Sequence, residues 1–323
     1  MFDWLRLAAV FSRSRDLRPG ADPRCTVDKD VRAGNGWKVD RFRAKQPTGA
    51  YLVLLHGWTL RGKDDLRLQA FARSLAIAGV ECCVPTLPGL AMLTFDREDV
   101  AGLRALLDDS PSPPGIIGFS LGGGYALLAA SGGPRQPRFL ASVGGYGDLS
   151  ATFHRSTEWG RQRPSDPTTH EAWVYQKLAL AWRLREVVPL SAETRDELRS
   201  LLESFCEGHN VAAAWDFCQR VLGDTDWETE DERRQDAATL SALSVAEHPP
   251  ELACPVVILH DKNDETVPPS EAQVVAEAVR RGSPGIRIEV MVTDLLQHVT
   301  PGLTWRPREV FHLLRLLSPL LRR

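Results

Sequence analysis

The chain contains no apolar run approaching the roughly 20 residues that a membrane-spanning helix needs, so it reads as a soluble protein. It also lacks any CxxC pair. Its six cysteines, Cys25, Cys82, Cys83, Cys206, Cys218 and Cys254, are scattered, several inside apolar runs where a thiol behaves as a small hydrophobe. No metal site is expected from such spacing, and a reducing, cytoplasmic location is. Charge is nearly balanced, with a formal net value of -3, which leaves no overall basic field and excludes nucleic acid as an expected partner. Internal repeats are absent, and the low-complexity patch "SPSPPG" at 110–115 reads as a loop. The opening "MFDWLRLAAVFSRSRD" lacks the features of a signal peptide, because Asp3 and Arg6 interrupt it and no small-residue cleavage site follows. Phe2, Leu5, Ala9 and Val10 instead fall on one side of a helix, expected to pack on its own domain rather than to anchor in a membrane.

What is present is ordinary for a globular protein: 323 residues, 43% hydrophobic and 25% charged, enough for two domains or one large α/β unit. "VDKDVRAGNGWKVDRFRA" places a Gly34-Asn35-Gly36 turn between two partly alternating stretches and predicts a hairpin. "AYLVLL" then reads as a strand buried on both faces, and "KDDLRLQAFARSLAIAGV" as a helix that stops at Gly79. The alternation continues through "VECCVPTL", "DREDVAGLRALL", "GIIGF", "LGGGYALLAAS" and "RFLASVGGYG". Strands alternating with helices predict a mostly parallel central sheet flanked by helices.

From Leu149 to about Pro250 the rhythm changes to helices alone, with Ser191 and Asn210 as N-caps and Gly208 and Gly223 as stops. Strands resume with "CPVVILHDKND" and "IRIEVMV", separated by the helix "SEAQVVAEAVRRG", and "PREVFHLLRLLSPLLRR" closes the chain as a helix. One sheet therefore appears on both sides of an insertion. The organisation expected is an N-terminal segment over 1–26, an α/β core over 27–148 and 251–323, and a helical insertion over 149–250.

"GIIGFSLGG" at 115–123 carries G-x-S-x-G between an apolar strand and a small-residue helix, the context that motif requires. Gly118 and Gly122 let strand and helix approach closely while Ser120 sits in a strained turn at a helix N-terminus. A serine hydroxyl is a weak nucleophile at its own pKa and needs a base oriented by an acid. In parallel sheets, reacting groups gather at the carboxyl ends of strands. His298 follows the last strand, and Asp261 and Asp264 follow the strand that ends at His260. His56 reads as structural, bonding within its own loop.

With "HGW" at 56–58, "GFSLGG" at 118–123, "LHDKNDETVPP" at 259–269 and "QHVTPG" at 297–302, the chain resembles the α/β-hydrolase family over nearly all of residues 27–320. The resemblance implies the α/β-hydrolase fold with a helical cap over the site and a triad in the chain order nucleophile, acid, histidine: Ser120, Asp264 and His298. Asp264 matches the family acid because it precedes the "xxVP" stretch; Asp261 and Asp148 remain as alternatives. Many family members have glycine before the histidine, where this chain has Gln297. The resemblance also implies an oxyanion hole built from the backbone N–H groups of Trp58 and Leu121.

The activity implied is a carboxylesterase-like serine hydrolase that cleaves a carboxylic ester or thioester through an acyl-enzyme, without metal or organic cofactor. Acyl transfer or amide cleavage would use the same triad, and a binding protein on a hydrolase scaffold is the non-catalytic alternative. Trp159, Trp173, Trp182, Trp215 and Trp227 crowd the insertion. They are expected chiefly to pack it, and any that line the cleft would suit a small-molecule substrate that is apolar in part.

Overall fold

The computed structural model describes residues 22–162, 170–186, 190–205, 211–221 and 227–297, together with Ala9, Val10, Arg13, Pro164, Thr300 and Pro301. His298, Asn210, Gly208, Gly223, the closing helix and most of the opening one lie outside the described residues.

Eight strands form one sheet: β1 (Cys25–Arg32), β2 (Lys38–Ala44), β3 (Tyr51–Leu55), β4 (Glu81–Pro85), β5 (Gly115–Phe119), β6 (Phe139–Val143), β7 (Val256–Asp261) and β8 (Ile288–Thr293). Their order across the sheet is β1-β2-β4-β3-β5-β6-β7-β8. The β1–β2 hairpin turns at the Gly-Asn-Gly segment, with Gly36 at φ +83°, and β2 pairs antiparallel with β4. All later pairings are parallel. A short pair, β9 (Leu296–Gln297) and β10 (Thr300–Pro301), stands apart.

The central strands are largely apolar because both faces are covered: every residue of β6 and β7 is buried, including Ser142, His260 and Asp261. On the flanks lie α1 (Leu66–Ile77), α2 (Pro88–Ala91), α3 (Arg97–Asp108), α4 (Leu121–Ala130) and, after β7, α11 (Glu271–Gly282). Asp65 caps α1 by accepting from the backbone N–H groups of Arg67 and Leu68. The α4 helix is buried along its whole length, which its Gly and Ala content permits.

Between β6 and β7 the described residues form helices only: α5 (Leu149–Arg161), α6 (Glu171–Arg183), α7 (Ala192–Phe205), α8 (Val211–Val221), α9 (Trp227–Arg234) and α10 (Ala237–Ala242). Ser191 caps α7 by accepting from Thr194 N–H at 3.1 Å. These helices carry an apolar cluster of their own, built on Trp173, Val174, Leu178, Leu198, Leu202 and Phe217. Trp173 is buried and packs on Trp215 at 5.1 Å between ring centroids, while Trp159, Trp182 and Trp215 are partly buried against the same cluster. Among the described residues no helix is long and apolar enough to cross a membrane.

Candidate active site

Ser120 joins β5 to α4 with φ +51° and ψ -128°, a backbone that a residue with a side chain adopts only when its surroundings enforce it. Two bonds hold the turn: Ser120 N–H donates to Val143 O at 2.8 Å, and Gly123 N–H donates to Ser120 O at 2.8 Å. The glycines explain why the sequence can fold this way. A Cβ on Gly118 would stand 2.3 Å from Gly122 O, and one on Gly122 would stand 2.4 Å from His56 O. Strand, helix and the loop after β3 therefore meet backbone to backbone. Ser120 is 8% exposed, and Leu121 behind it is the first residue of α4, whose leading N–H groups have no acceptor within the helix.

The loop after β3 passes directly over the serine. A Cβ on Gly57 would lie 2.8 Å from Ser120 Cβ, so only glycine allows this approach. His56 holds the loop from beneath. Its Nε2 accepts from Leu87 N–H at 2.9 Å, which leaves Nδ1 protonated to donate to Gly57 O at 2.7 Å. Burial pushes the His56 pKa down to about 4, keeping the ring in this neutral tautomer at neutral pH. Leu87 is in turn steadied by the next turn of chain, α2, where Asp99 accepts from Gly89 and Leu90 N–H at 3.1 and 3.0 Å. Burial raises the Asp99 pKa to about 6 against those two bonds. Neither Asp99 nor α2 carried a signal in the sequence beyond an ordinary acidic helix start and a Pro-Gly pair.

Asp264 lies in the turn after β7, buried, with Oδ1 accepting from Thr266 and Val267 N–H at 2.9 Å each. Its Oδ2 is 3.5 Å from His260 Nε2, a histidine with no exposed surface that also bonds Val267 O at 2.9 Å. His260 Nδ1 has no partner among the described residues. Asp261 is buried one strand-end earlier and accepts from Asn263 N–H at 3.0 Å. Asp148 caps α5 through Ala151 N–H at 2.9 Å, and its own N–H, with that of Gly147, donates to the buried carboxylate of Glu271. Ser120 and the Asp264 turn both sit at the carboxyl ends of parallel strands, β5 and β7, one strand apart in the sheet. The geometry of His298 lies outside the described residues.

The Trp58 ring is covered by an aromatic ring and by a cation. The indole stacks on Phe95 at 5.1 Å, and Phe95 meets Phe153 of α5 edge-on at 5.8 Å. The guanidinium carbon of Arg183, on α6, lies 4.6 Å from the Trp58 ring centroid. Arg183 Nε reaches both carboxylate oxygens of Asp231 on α9 at 3.0 Å. Sequence reasoning missed this aromatic and cationic stack, because its members come from segments far apart in the chain. Among the described residues no group of three or more His, Cys, Asp or Glu is placed to hold a metal ion.

A sheet in this order, with a strained serine at a strand-to-helix turn beneath a glycine loop, defines the α/β-hydrolase class of fold. The family model described as the alpha/beta hydrolase family matches residues 52–313, and the chain belongs to that family. Among solved structures, an esterase/lipase from an uncultured bacterium is similar with a TM-score of 0.52 at 14% identity, covering 97% of this chain and 90% of that one. An esterase of the bacterial hormone-sensitive lipase family is similar with a TM-score of 0.51 at 16% identity, covering 98% and 97%. An esterase of Pyrococcus furiosus gives a TM-score of 0.51 at 13% identity, covering 92% and 91%. No curated protein matches the chain by sequence.

Proposed function

We propose that this protein is a serine hydrolase of carboxylic esters or thioesters. Ser120 Oγ attacks the carbonyl carbon, His298 takes its proton and Asp264 orients His298. The N–H groups of Leu121 and Trp58 stabilise the oxyanion. Collapse of the tetrahedral intermediate expels the alcohol or thiol, protonated by His298, and water activated by the same base then releases the acid. The observation that carries this reading is the positive φ of Ser120, maintained in a turn where Gly118 packs on Gly122, Gly122 on His56 O and Gly57 on the Ser120 side chain. Strain of this kind persists only where the surroundings over-determine it, and it sets the hydroxyl out above the sheet.

Asp264 is the preferred acid because its carboxylate is buried in the turn after β7 and two backbone N–H bonds hold it in place. Asp148, by contrast, spends an oxygen on capping α5. Residues 149–250 are taken as a cap inserted in a core of 27–148 and 251–323, consistent with β6 and β7 lying side by side in one sheet. The structural neighbours named as esterases support an ester as substrate. Among the described residues the five cysteines are buried and free of disulfides, which is consistent with a reducing compartment. The test is Ser120→Ala, which should lower hydrolysis of a short p-nitrophenyl ester by roughly 10⁴-fold or more and abolish labelling by a fluorophosphonate. Labelling that persists in this variant removes Ser120 from the mechanism.

A further inference from the structure

The two peptide groups that flank Trp58 are held from opposite directions. His56, rooted in the sheet domain, donates Nδ1–H to Gly57 O at 2.7 Å and so restrains one side of the Gly57–Trp58 peptide, which carries the Trp58 N–H. Tyr175, on α6 and 117 residues further along the chain, donates its hydroxyl to Trp58 O at 2.8 Å and fixes the Trp58–Thr59 peptide. All peptide bonds among the described residues are trans, and each peptide group is rigid. Only φ and ψ of Trp58 lie between the two planes, so a hydrogen bond to the carbonyl on each side restrains both angles. In the first of these planes the Trp58 N–H lies opposite Gly57 O, turned away from His56.

Further ties bind the same loop to the same helices. Arg61 Nε donates to Glu203 O of α7 at 2.7 Å. The Arg183 guanidinium covers the Trp58 ring. The side chains of Trp58 and Leu60 pack into the apolar cluster of the interposed helices, beside Leu93 and Trp173. The loop belongs by its backbone to the sheet and by its side chains to the cap.

We propose that Tyr175 is a positioning residue for the oxyanion hole: its hydroxyl holds the Trp58 carbonyl so that the Trp58 N–H stays aimed at the reacting oxygen. The hole is then complete only when the cap is seated on the loop. This rests on the serine-hydrolase reading above and adds to it a dependence of chemistry on cap position.

Tyr175→Phe keeps the ring, which packs on Phe205 at 5.5 Å, and removes only the donor. One oxyanion donor is worth roughly 10²- to 10³-fold in kcat, which bounds the effect from above. Expected for Tyr175→Phe is a fall in kcat of about tenfold or more with KM within about twofold, because the bond acts on the transition state rather than on substrate binding. Affinity for a trifluoromethyl ketone, which forms a tetrahedral oxyanion on serine, should fall by the same factor as kcat. A merely structural role would lower the melting temperature and scale all activities through the folded fraction, leaving the ratio of ketone affinity to KM unchanged. That outcome, or an unchanged kcat, overturns the proposal. If Tyr175→Phe does not fold, Arg61→Met, which cuts the tie to Glu203 O, carries the test with the same criteria. Failure here with Ser120→Ala still inactive overturns the role of Tyr175 alone, whereas an active Ser120→Ala overturns the hydrolase reading beneath it.

Discussion

The elbow around Ser120 and the helices between β6 and β7 are held by different forces. At the elbow, backbone atoms pack on backbone atoms: Gly118 against Gly122, Gly122 against His56 O, Gly57 against Phe119 O and the root of the Ser120 side chain. Side-chain chemistry has little room to vary there. The interposed helices are held by charge pairs and aromatic rings. Arg183 with Asp231 and Lys177 with Glu228 are largely buried, Arg161 pairs with Glu232 at 2.8 Å, and Arg199 and Glu203 pair in the open at 2.9 Å. The first region admits almost no substitution without moving the chain. In the second, substitution changes energy while leaving the backbone path intact.

The comparison breaks most visibly at Gly118. Gly118→Ala forces a Cβ against backbone that cannot rotate away, so ester hydrolysis should fall about 100-fold or more, with a loss of stability of about 3 kcal/mol. Near-native turnover by the purified variant would show that the elbow tolerates movement after all.

On the helical side, Asp231→Ala leaves the Arg183 charge buried without its carboxylate. Removing one partner of a buried pair costs about 3 kcal/mol, whereas Arg199→Ala in the exposed pair should stay within about 0.5 kcal/mol. Urea unfolding midpoints read both; equal shifts would mean that burial does not separate these pairs.

The smallest effect is a pH dependence centred on the sheet side. The His56 pKa is lowered from 6.5 to about 4 in the fold, so its contribution is fully present above pH 6.5 and lost as pH falls toward 4. The Asp99 pKa is raised from 3.8 to about 6, so its contribution is fully present below pH 3.8 and lost as pH rises through 6. Between pH 4 and 6 the two slopes oppose one another. Asp99→Asn removes one of them, and the variant should lose stability on acidification more steeply than the native protein, by at most about 1.4 kcal/mol per pH unit. Urea midpoints at pH 4.5, 5.5 and 7 check this, and parallel curves for the two proteins would contradict it.

Much of the fold was legible because local spacing encodes it. Continuous apolar runs of five residues flanked by turn residues became β3, β5 and β6, and the Gly-Asn-Gly turn became the β1–β2 hairpin. Ser120 stood out because its neighbours at 118 and 122 are glycines in a strand-to-helix context. His56 was legible as a loop-bonding residue, although its bond to Leu87 N–H was not, since that partner lies 31 residues away. The short helix α2, the Asp99 bonds that secure it and the Trp58 stack with Phe95 and Arg183 left no local signature. Each depends on side chains that only converge after the sheet has formed.

The sequence by itself determined the alternation of strands and helices, the strained turn at Ser120 and the presence of a buried acid after β7, because these follow from periodicity, glycine placement and chain order. Tertiary structure alone decided that β4 lies between β2 and β3, that Gly57 presses on Ser120, and that a tyrosine 117 residues beyond Trp58 holds its carbonyl. The physical reason is one of range. Backbone propensity acts over a few residues, while the bond to the Trp58 carbonyl depends on a tyrosine that only folding brings to it.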